Sequence, residues 1–572
     1  MRAQRRGKDS EERIKKPVLK DDQAILVRDL HALSGKEVLD RILESENPEK
    51  MVQEMPSEDF FWMVKKVGEE DCLTLLELAS VDQWLYLLDL EIWSNDRLDL
   101  AHTSHWMRQL QLADPQRLVR WLFGEGEFLA YYHFSKTIEV VIKGEDEVFD
   151  LPDGFFTLDG VFYIKATDSE HSESTEKIIR VMASEDFDRY QALLLKLAGV
   201  LPAELEEELY RLKNTRLAEH GFLPLEEALS VYAPINPETL SVEKTPELPG
   251  ILYDEEIRAM VPVFPLYNAG AKNMLAEATA GITDPLFIDK IRLEFAGLCN
   301  QILSADGLPI HELSVLIGIC RKAAGYVNLA LEKKCGRDIS LAGQFLKSYP
   351  LVTLFRVGFG LALRVKWEAE RWFNGSWFHG EGLDHHFWGD PWGGVLTGLL
   401  AKKPKRYVGL QEEEEYRDEE EEYRDFEWLS ELGESLTVLR RLMVLDSLFE
   451  RLTKRHPIDG RILHSSALTF RPLLFSLWAR LLLRLEPSLS RISLEQTKRF
   501  FGLLRAGEKK PPYKMPGFEE AFIRDFMAYA SDSDSEAASI LEDTLSLIWR
   551  EFSEEYERVP VRDLDARYSK FL

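Results

Sequence analysis

The stretch PSEDFFWMVKKV (56–67), GEEDCLTLLELA (68–79), SVDQWLYLLDLE (80–91) decides the fold class. It is three twelve-residue blocks that follow one another without gaps. Each opens with Pro, Gly or Ser, continues through two acidic or amide positions, and then turns apolar. That order is a helix start: a cap, a negative first turn facing the positive end of the helix dipole, then a stripe to bury. Ser80 and Gln83 match a capping box, and Pro56 suits a first helical turn. Twelve residues allow about two turns plus a corner, too little for a helix to stand alone in water. Each unit must therefore bury its stripe against neighbours, and the blocks predict a stacked superhelix of short helical repeats. A looser copy is ADPQRLVRWL (113–122).

Outward from the repeats, the pattern predicts a mostly α chain with one small α/β insert. TIEVVIKGEDEVFDLPDGFFTLDGVFYIKATD (137–168) is β-rich, and FTLDGVFYIK reads as a hairpin turning at Asp159-Gly160. A helix from about 203 to 219 stops at His220-Gly221, and Pro224 opens LPLEEALSVYA. Four prolines between Pro234 and Pro249 mark a linker. Further helices are expected at about 284–303, 309–334, 341–372, 426–454, 473–486, 492–504, 517–530 and 536–556. The expected organisation is a basic disordered tail (1–22), a helical-repeat superhelix (23–125), an α/β insert with helices (126–233) and a linker (234–250). A helical domain (251–405), an acidic low-complexity segment (406–425) and a C-terminal helical region (426–572) follow.

The twelve-residue cadence of 56–91 resembles the cytosolic N-terminal superhelical domain of the magnesium-transporter family. The resemblance implies a shape and not transport or magnesium binding, since that family's membrane helices have no counterpart here. LPAELEEELYRLKNTRLAEHGFLPLEEALSVY (201–232) and WFHGEGLDHHFWGDPWGGVLTGLLAKKP (377–404), taken with the repeats, resemble a bacterial protein family of unknown function. That resemblance implies an intracellular bacterial protein and brings no activity with it.

Composition narrows the function classes. The 572 residues carry a net charge of −28 and are 45% hydrophobic. An acidic surface of that size repels phosphate backbones and anionic lipid, so no nucleic-acid partner is expected. No stretch reaches the roughly 18 uninterrupted apolar residues of a membrane helix, and no membrane insertion is expected. Leu351–Leu363 is cut by Arg356, and Leu473–Leu485 by Arg480 and Arg484. FRPLLFSLWARLLLRL (470–485) carries Arg471, Arg480 and Arg484, the last two on one helical face; it reads as a core helix whose arginines pair with the surplus acid, or as a partner-binding helix. MRAQRRGKDSEERIKK is basic but leads into no apolar run, so a signal peptide is not expected. Cys72, Cys299, Cys320 and Cys335 form no CxxC, which fits buried thiols in a reducing, cytoplasmic setting.

WEAERWFNGSWFHGEGLDHHFWGDPWGG (367–394) is the richest segment chemically, with five of the thirteen tryptophans and six glycines. His379, Asp384, His385, His386 and Asp390 are candidate ligands for a divalent metal. Trp377, Trp388 and Trp392 are candidate walls of a pocket for a small apolar or cationic ligand. Against both stands a structural loop, in which indoles plug helix ends, glycines allow sharp turns and polar groups cap helices. EEEEYRD occurs twice in tandem (412–418 and 419–425). Read as a helix, it puts Tyr416 and Tyr423 on one face, with Arg417 and Arg424 reaching glutamates one turn earlier. The segment is a solvated helix, an inserted mobile low-complexity stretch, or an acidic docking strip for a basic partner with Tyr416 and Tyr423 as its contacts.

Standard catalytic grammar is missing. There is no phosphate loop, GFGLAL (358–363) fits a dinucleotide fingerprint only loosely, and GESLT (433–437) lacks the second glycine of a nucleophile elbow. His311-Glu312 has no second histidine, and DSDSE (532–536) has no central glycine for a calcium loop. The expected function is a cytoplasmic helical scaffold or adaptor that binds a protein partner through stacked repeats. The alternatives are a metal-dependent or small-ligand-binding enzyme centred on 377–394, and a divalent-ion-responsive regulatory protein.

Overall fold

The computed structural model describes residues 33–94, 96–143, 153–167, 170–197, 199, 201–242, 261–270, 272–308, 310, 312–409, 422–456, 458, 468–505, 510–515, 517–530 and 535–564. The tail at 1–22, Tyr416, Arg417 and His311 lie outside them. The chain is mostly α and divides into two compact units. The first is Met1–Ala233, Glu238–Val327 and Cys335–Arg356; the second is Pro234–Pro237, Asn328–Lys334 and Val357–Leu572.

In the first unit short helices run Gly35–Leu43, Pro48–Gln53, Ser57–Val67, Leu73–Leu78, Val81–Glu91, Leu100–Ala113, Pro115–Leu122 and Glu127–Thr137. Each of the first five packs against the helix two places further on, or against Leu100–Ala113. This is how two-turn segments bury their stripes. The Ser80 capping box forms as expected: Gln83 N–H donates to Ser80 Oγ at 3.2 Å and Ser80 N–H to Gln83 Oε1 at 2.9 Å. Asp114 caps the helix begun by Pro115. The block 68–79 departs from expectation. Its helix begins only at Leu73, because Glu69 and Glu70 lie in the preceding turn.

The β insert is a three-stranded antiparallel sheet. Phe162–Ala166 is the middle strand, between Ile138–Ile142 and the short Phe156–Thr157. Asp159 Oδ1 accepts from Val161 N–H and Phe162 N–H, both at 2.9 Å, closing the expected hairpin turn. Helix Pro202–Glu219 stops at Gly221, whose φ is +84°. A Cβ there would stand 2.7 Å from the Gly297 Cα, so glycine lets this turn cross the helix Pro285–Asp306.

The expected continuous helix over 341–372 is two helices, Ile339–Ser348 and Leu351–Phe373. Pro350 cannot donate a helical hydrogen bond, and it drives Tyr349 to an extended φ/ψ of −134°/139°. Leu313–Cys335 is long and apolar enough to cross a membrane by length and composition, although Arg321 and Lys322 interrupt its apolar run. Its most apolar window is 72% buried within the protein, and Lys322 midway along it binds Asp306 at 2.7 Å.

The second unit gathers the aromatic helices Leu429–Arg455, Phe470–Leu482, Leu494–Leu504, Phe518–Met527 and Ser535–Tyr556 around one core. Phe475 stacks between Phe522 (4.9 Å) and Phe552 (4.1 Å), while Trp478 meets Phe522 and Trp549 edge-on. Offset and edge-to-face contacts are the favoured ring geometries. Arg471 pairs with Glu551 at 2.8 Å as expected of the surplus acid. Arg480 instead donates to Ser490 Oγ, and Arg484 lies past the helix end with φ +54°, so the two do not share a helical face. Tyr423 is not helical either. Tyr423–Arg424 is a short strand paired with Arg406–Tyr407, and Arg424 reaches forward to Glu427 and Glu431 rather than back.

Two glycines in this unit give opposite expectations. A Cβ on Gly398 would stand 2.5 Å from the Lys405 carbonyl oxygen, whereas one on the exposed helical Gly433 meets nothing within 4 Å. Gly398→Ala should destabilise the chain by about 1–3 kcal/mol through overpacking. Gly433→Ala should stabilise it by about 0.5–1 kcal/mol. Urea denaturation of both variants checks the pair.

Candidate functional site

The sequence-selected segment of the second unit folds as interior packing with a polar rim. Ser376 caps the turn Trp377–Gly380, and Asp384 caps the 3-10 turn His385–Trp388 by accepting from His386 N–H at 2.8 Å. Trp388 is 0% exposed, ringed by Phe378, Phe387 and Phe470 at centroid distances of 5.3, 5.1 and 5.8 Å. Trp392 stacks on Phe470 at 5.5 Å and 18°, and Trp377 on Phe449 at 5.6 Å and 13°. The three indoles thus fill the core beside the helices Leu429–Arg455 and Phe470–Leu482. Asp446 holds the segment down, accepting from Trp377 N–H at 3.2 Å and Phe378 N–H at 2.8 Å. Burial raises the Asp446 carboxyl, and those two donors oppose the rise.

The five ligand candidates do not converge. His379, Asp384, His386 and Asp390 are exposed. His385 is turned inward to Thr397 Oγ1 at 2.9 Å, and burial lowers its basicity. Asp390 accepts from Tyr407, whose ring lies 5.4 Å from Tyr423. Among the described residues no group of three His, Cys, Asp or Glu is placed to hold a metal ion. Asp384 serves as a cap, His385 and Asp390 are hydrogen-bonded, and the His379 ring lies edge-on to Phe373 at 4.5 Å.

A buried ionisable cluster lies in the first unit, at residues that the sequence pattern places in an acidic first turn. Helix Ser57–Val67 is buried on every side from Glu58 to Lys65. Asp59, 0% exposed, accepts at 2.9 Å from Val263 N–H and Phe264 N–H, the start of the turn Phe264–Tyr267. Glu58 Oε1 accepts from Asn300 Nδ2 at 2.6 Å, and the same amide nitrogen donates to the His220 carbonyl at 2.7 Å. Tyr86 also hydrogen-bonds Glu58 and lies under the His220 ring at 4.6 Å. His220 Nδ1 stands 3.9 Å from Glu58 Oε1, and its side chain is 32% exposed. On the same helix Lys65 pairs with the buried Glu91 at 2.7 Å.

Burial pushes the Glu58 carboxyl up to about 8; Asn300 and Tyr86 oppose this and the charge of Asp59 adds to it. Burial likewise raises Asp59 to about 7 against the pull of the Phe264 and Val263 donors and of Arg292. Burial lowers His220. A protonated carboxyl beside a neutral imidazole is therefore the arrangement favoured at neutral pH, with the half-exposed ring joining it to solvent. Such a cluster can store and exchange a proton. One signal was legible in advance. FFWMV leaves Ser57–Val67 no polar face, and a helix apolar all round buries its first turn as well.

Both acids hold their protons more tightly folded than unfolded. Their stabilisation is complete below the ordinary carboxyl range and is lost as pH rises through the folded values. Chain stability should therefore fall between the ordinary Glu58 value of 4.5 and about 8. Glu58→Gln should flatten that slope, and an unchanged slope in urea midpoints at pH 5, 6.5 and 8 would contradict the assignment. Asp59→Ala, which strands two buried N–H donors, should cost about 3–5 kcal/mol. The same titrations read it.

Comparison with known proteins adds a family and no activity. No curated protein and no solved structure matches the chain. A family profile matches residues 22–572, and the chain belongs to that family, described as a family of unknown function (DUF6178).

Proposed function

We propose that the chain is a cytoplasmic helical scaffold or adaptor that binds a protein partner through its first unit. One observation carries the reading. Large apolar side chains stand in solvent on Glu127–Thr137 and on two helices that each pack against it: Phe128 on Glu127–Thr137, Leu195 on Phe187–Leu197, and Leu201 at the start of Pro202–Glu219. Leu195 and Leu201 are each 60% exposed, although the same helices bury Leu193, Leu194 and Leu217. Apolar surface left out while neighbouring leucines are buried is what a docking face requires. Taken as stacked repeats, the helices of 57–91 supply the rigid base, since such stacks present extended surfaces without catalytic groups. The four cysteines are free thiols, in keeping with a reducing compartment. The Glu58–Asp59 cluster supports architecture in this reading, because its oxygens take hydrogen bonds from three other stretches of the unit, at Tyr86, Val263–Phe264 and Asn300.

The tagged full-length chain, recovered from the cells that make it, should retain one reproducible protein at near-stoichiometric amount. Leu195→Glu combined with Leu201→Glu should cut that recovery at least about tenfold, a loss of about 1.4 kcal/mol of binding, without lowering the melting temperature. Failure to recover any reproducible protein would sink the proposal.

A further inference from the structure

Helix Pro202–Glu219 carries Tyr210, Lys213 and Arg216 at successive turns of one face. Lys213 Nζ lies 4.7 Å from the centre of the Trp93 ring and 5.7 Å from that of Tyr210. The two rings, 5.7 Å apart and inclined at 56°, make a corner around the amine. Asp89 is the carboxylate whose charge acts on Lys213, but its oxygens are already taken. Arg216 Nε donates to Oδ2 and Nη2 to Oδ1, both at 2.7 Å. Among the described residues Lys213 makes no hydrogen bond or ion pair. Trp93 is buried at 7%, while Tyr210 at 36% leaves the corner open on one side.

We propose that Lys213 is a covalent attachment site for a small aldehyde or ketone bearing a flat apolar group, which would stack on Tyr210 at the open side of the corner. The nitrogen lone pair forms the N–C bond as the carbonyl π pair moves to oxygen, and one of the two nitrogen protons passes to that oxygen. In the resulting carbinolamine the nitrogen lone pair forms the C=N bond as the C–O bond breaks, and the hydroxyl leaves with the second nitrogen proton as water. The step is a dehydration that needs no oxidant or reductant, and it reverses on hydrolysis. The reacting form is the neutral amine, and a lysine desolvated among aromatic rings is the arrangement that supplies it. Burial pushes the Lys213 ammonium down to about 8, with Asp89 pulling the other way. At pH 7 such an amine is about one-tenth neutral, on the order of 200-fold more than an ordinary lysine. Its lower intrinsic nucleophilicity takes back part of that gain, so a net advantage of about tenfold is expected.

The test uses the full-length chain at pH 7 with limiting formaldehyde or benzaldehyde and cyanoborohydride, which reduces imines and fixes them in place. Site-resolved peptide mass spectrometry then gives the rate at each lysine. Lys213 should react about tenfold faster than the solvent-exposed Lys50 and Lys177, and its preference should be larger for benzaldehyde. Trp93→Ala, which lets water into the corner, should bring the ratio towards one. If that variant does not fold, the native chain still decides. A Lys213 that reacts no faster than Lys50 and Lys177 would mean that the two rings hold it as a shielded ammonium, and would overturn the proposal.

Discussion

The first unit depends on one carboxylate. Asp59 takes the N–H groups of Val263 and Phe264 from a point 204 residues further along the chain. These are the donors that open the turn Phe264–Tyr267 and have no partner within it. Glu58, one residue before, performs the same service for Asn300 and through it for the His220 carbonyl. Two adjacent acids on one short helix thus fix the turn at 264, the helix Pro285–Asp306 and the end of Pro202–Glu219. Burying them is costly, and the cost shows as protons held at neutral pH. It is offset because every backbone donor they meet would otherwise be orphaned in the interior.

The second unit solves its assembly problem with rings. Trp388, Phe449, Phe470, Phe475, Trp478 and Phe552 belong to one contiguous cluster, fed by helices drawn from 429 to 556. The segment 377–394 enters this cluster as short turns. Its indoles pack against the cluster, and its carboxylates stay at the rim, Asp384 as a cap. Asp446 plays here the part Asp59 plays in the first unit, a buried carboxylate receiving the first N–H groups of a turn. The two units therefore use one device: a helix-borne acid that closes off the start of another segment.

Local features were legible in advance wherever one residue decides them. The Ser80 box, the Asp114 cap, the hairpin at Asp159-Gly160 and the stop at Gly221 all follow from side chains within three or four residues of the backbone groups they serve. The break at Tyr349-Pro350 was legible by the same rule but was masked by the apolar periodicity on either side. The site was less legible. His379, Asp384 and His386 have the composition of a metal site, but composition does not say where a side chain points. All three prove to be rim residues, while Glu58 and Asp59, ordinary first-turn acids by pattern, stand at the centre of the buried cluster.

By itself, the sequence determined the helical class, most element starts and stops, the small β insert and the aromatic wealth of the second half. These rest on short-range physics: capping, turn geometry, periodicity and the proline constraint act within a turn or two of chain. Tertiary structure alone decided which polar groups are buried, and with what partners. Burial of Glu58 and Asp59, the inward turn of His385 and the corner around Lys213 each depend on segments distant in sequence, and the free energy of an ionisable group is set by whatever surrounds it. No local pattern carries that information.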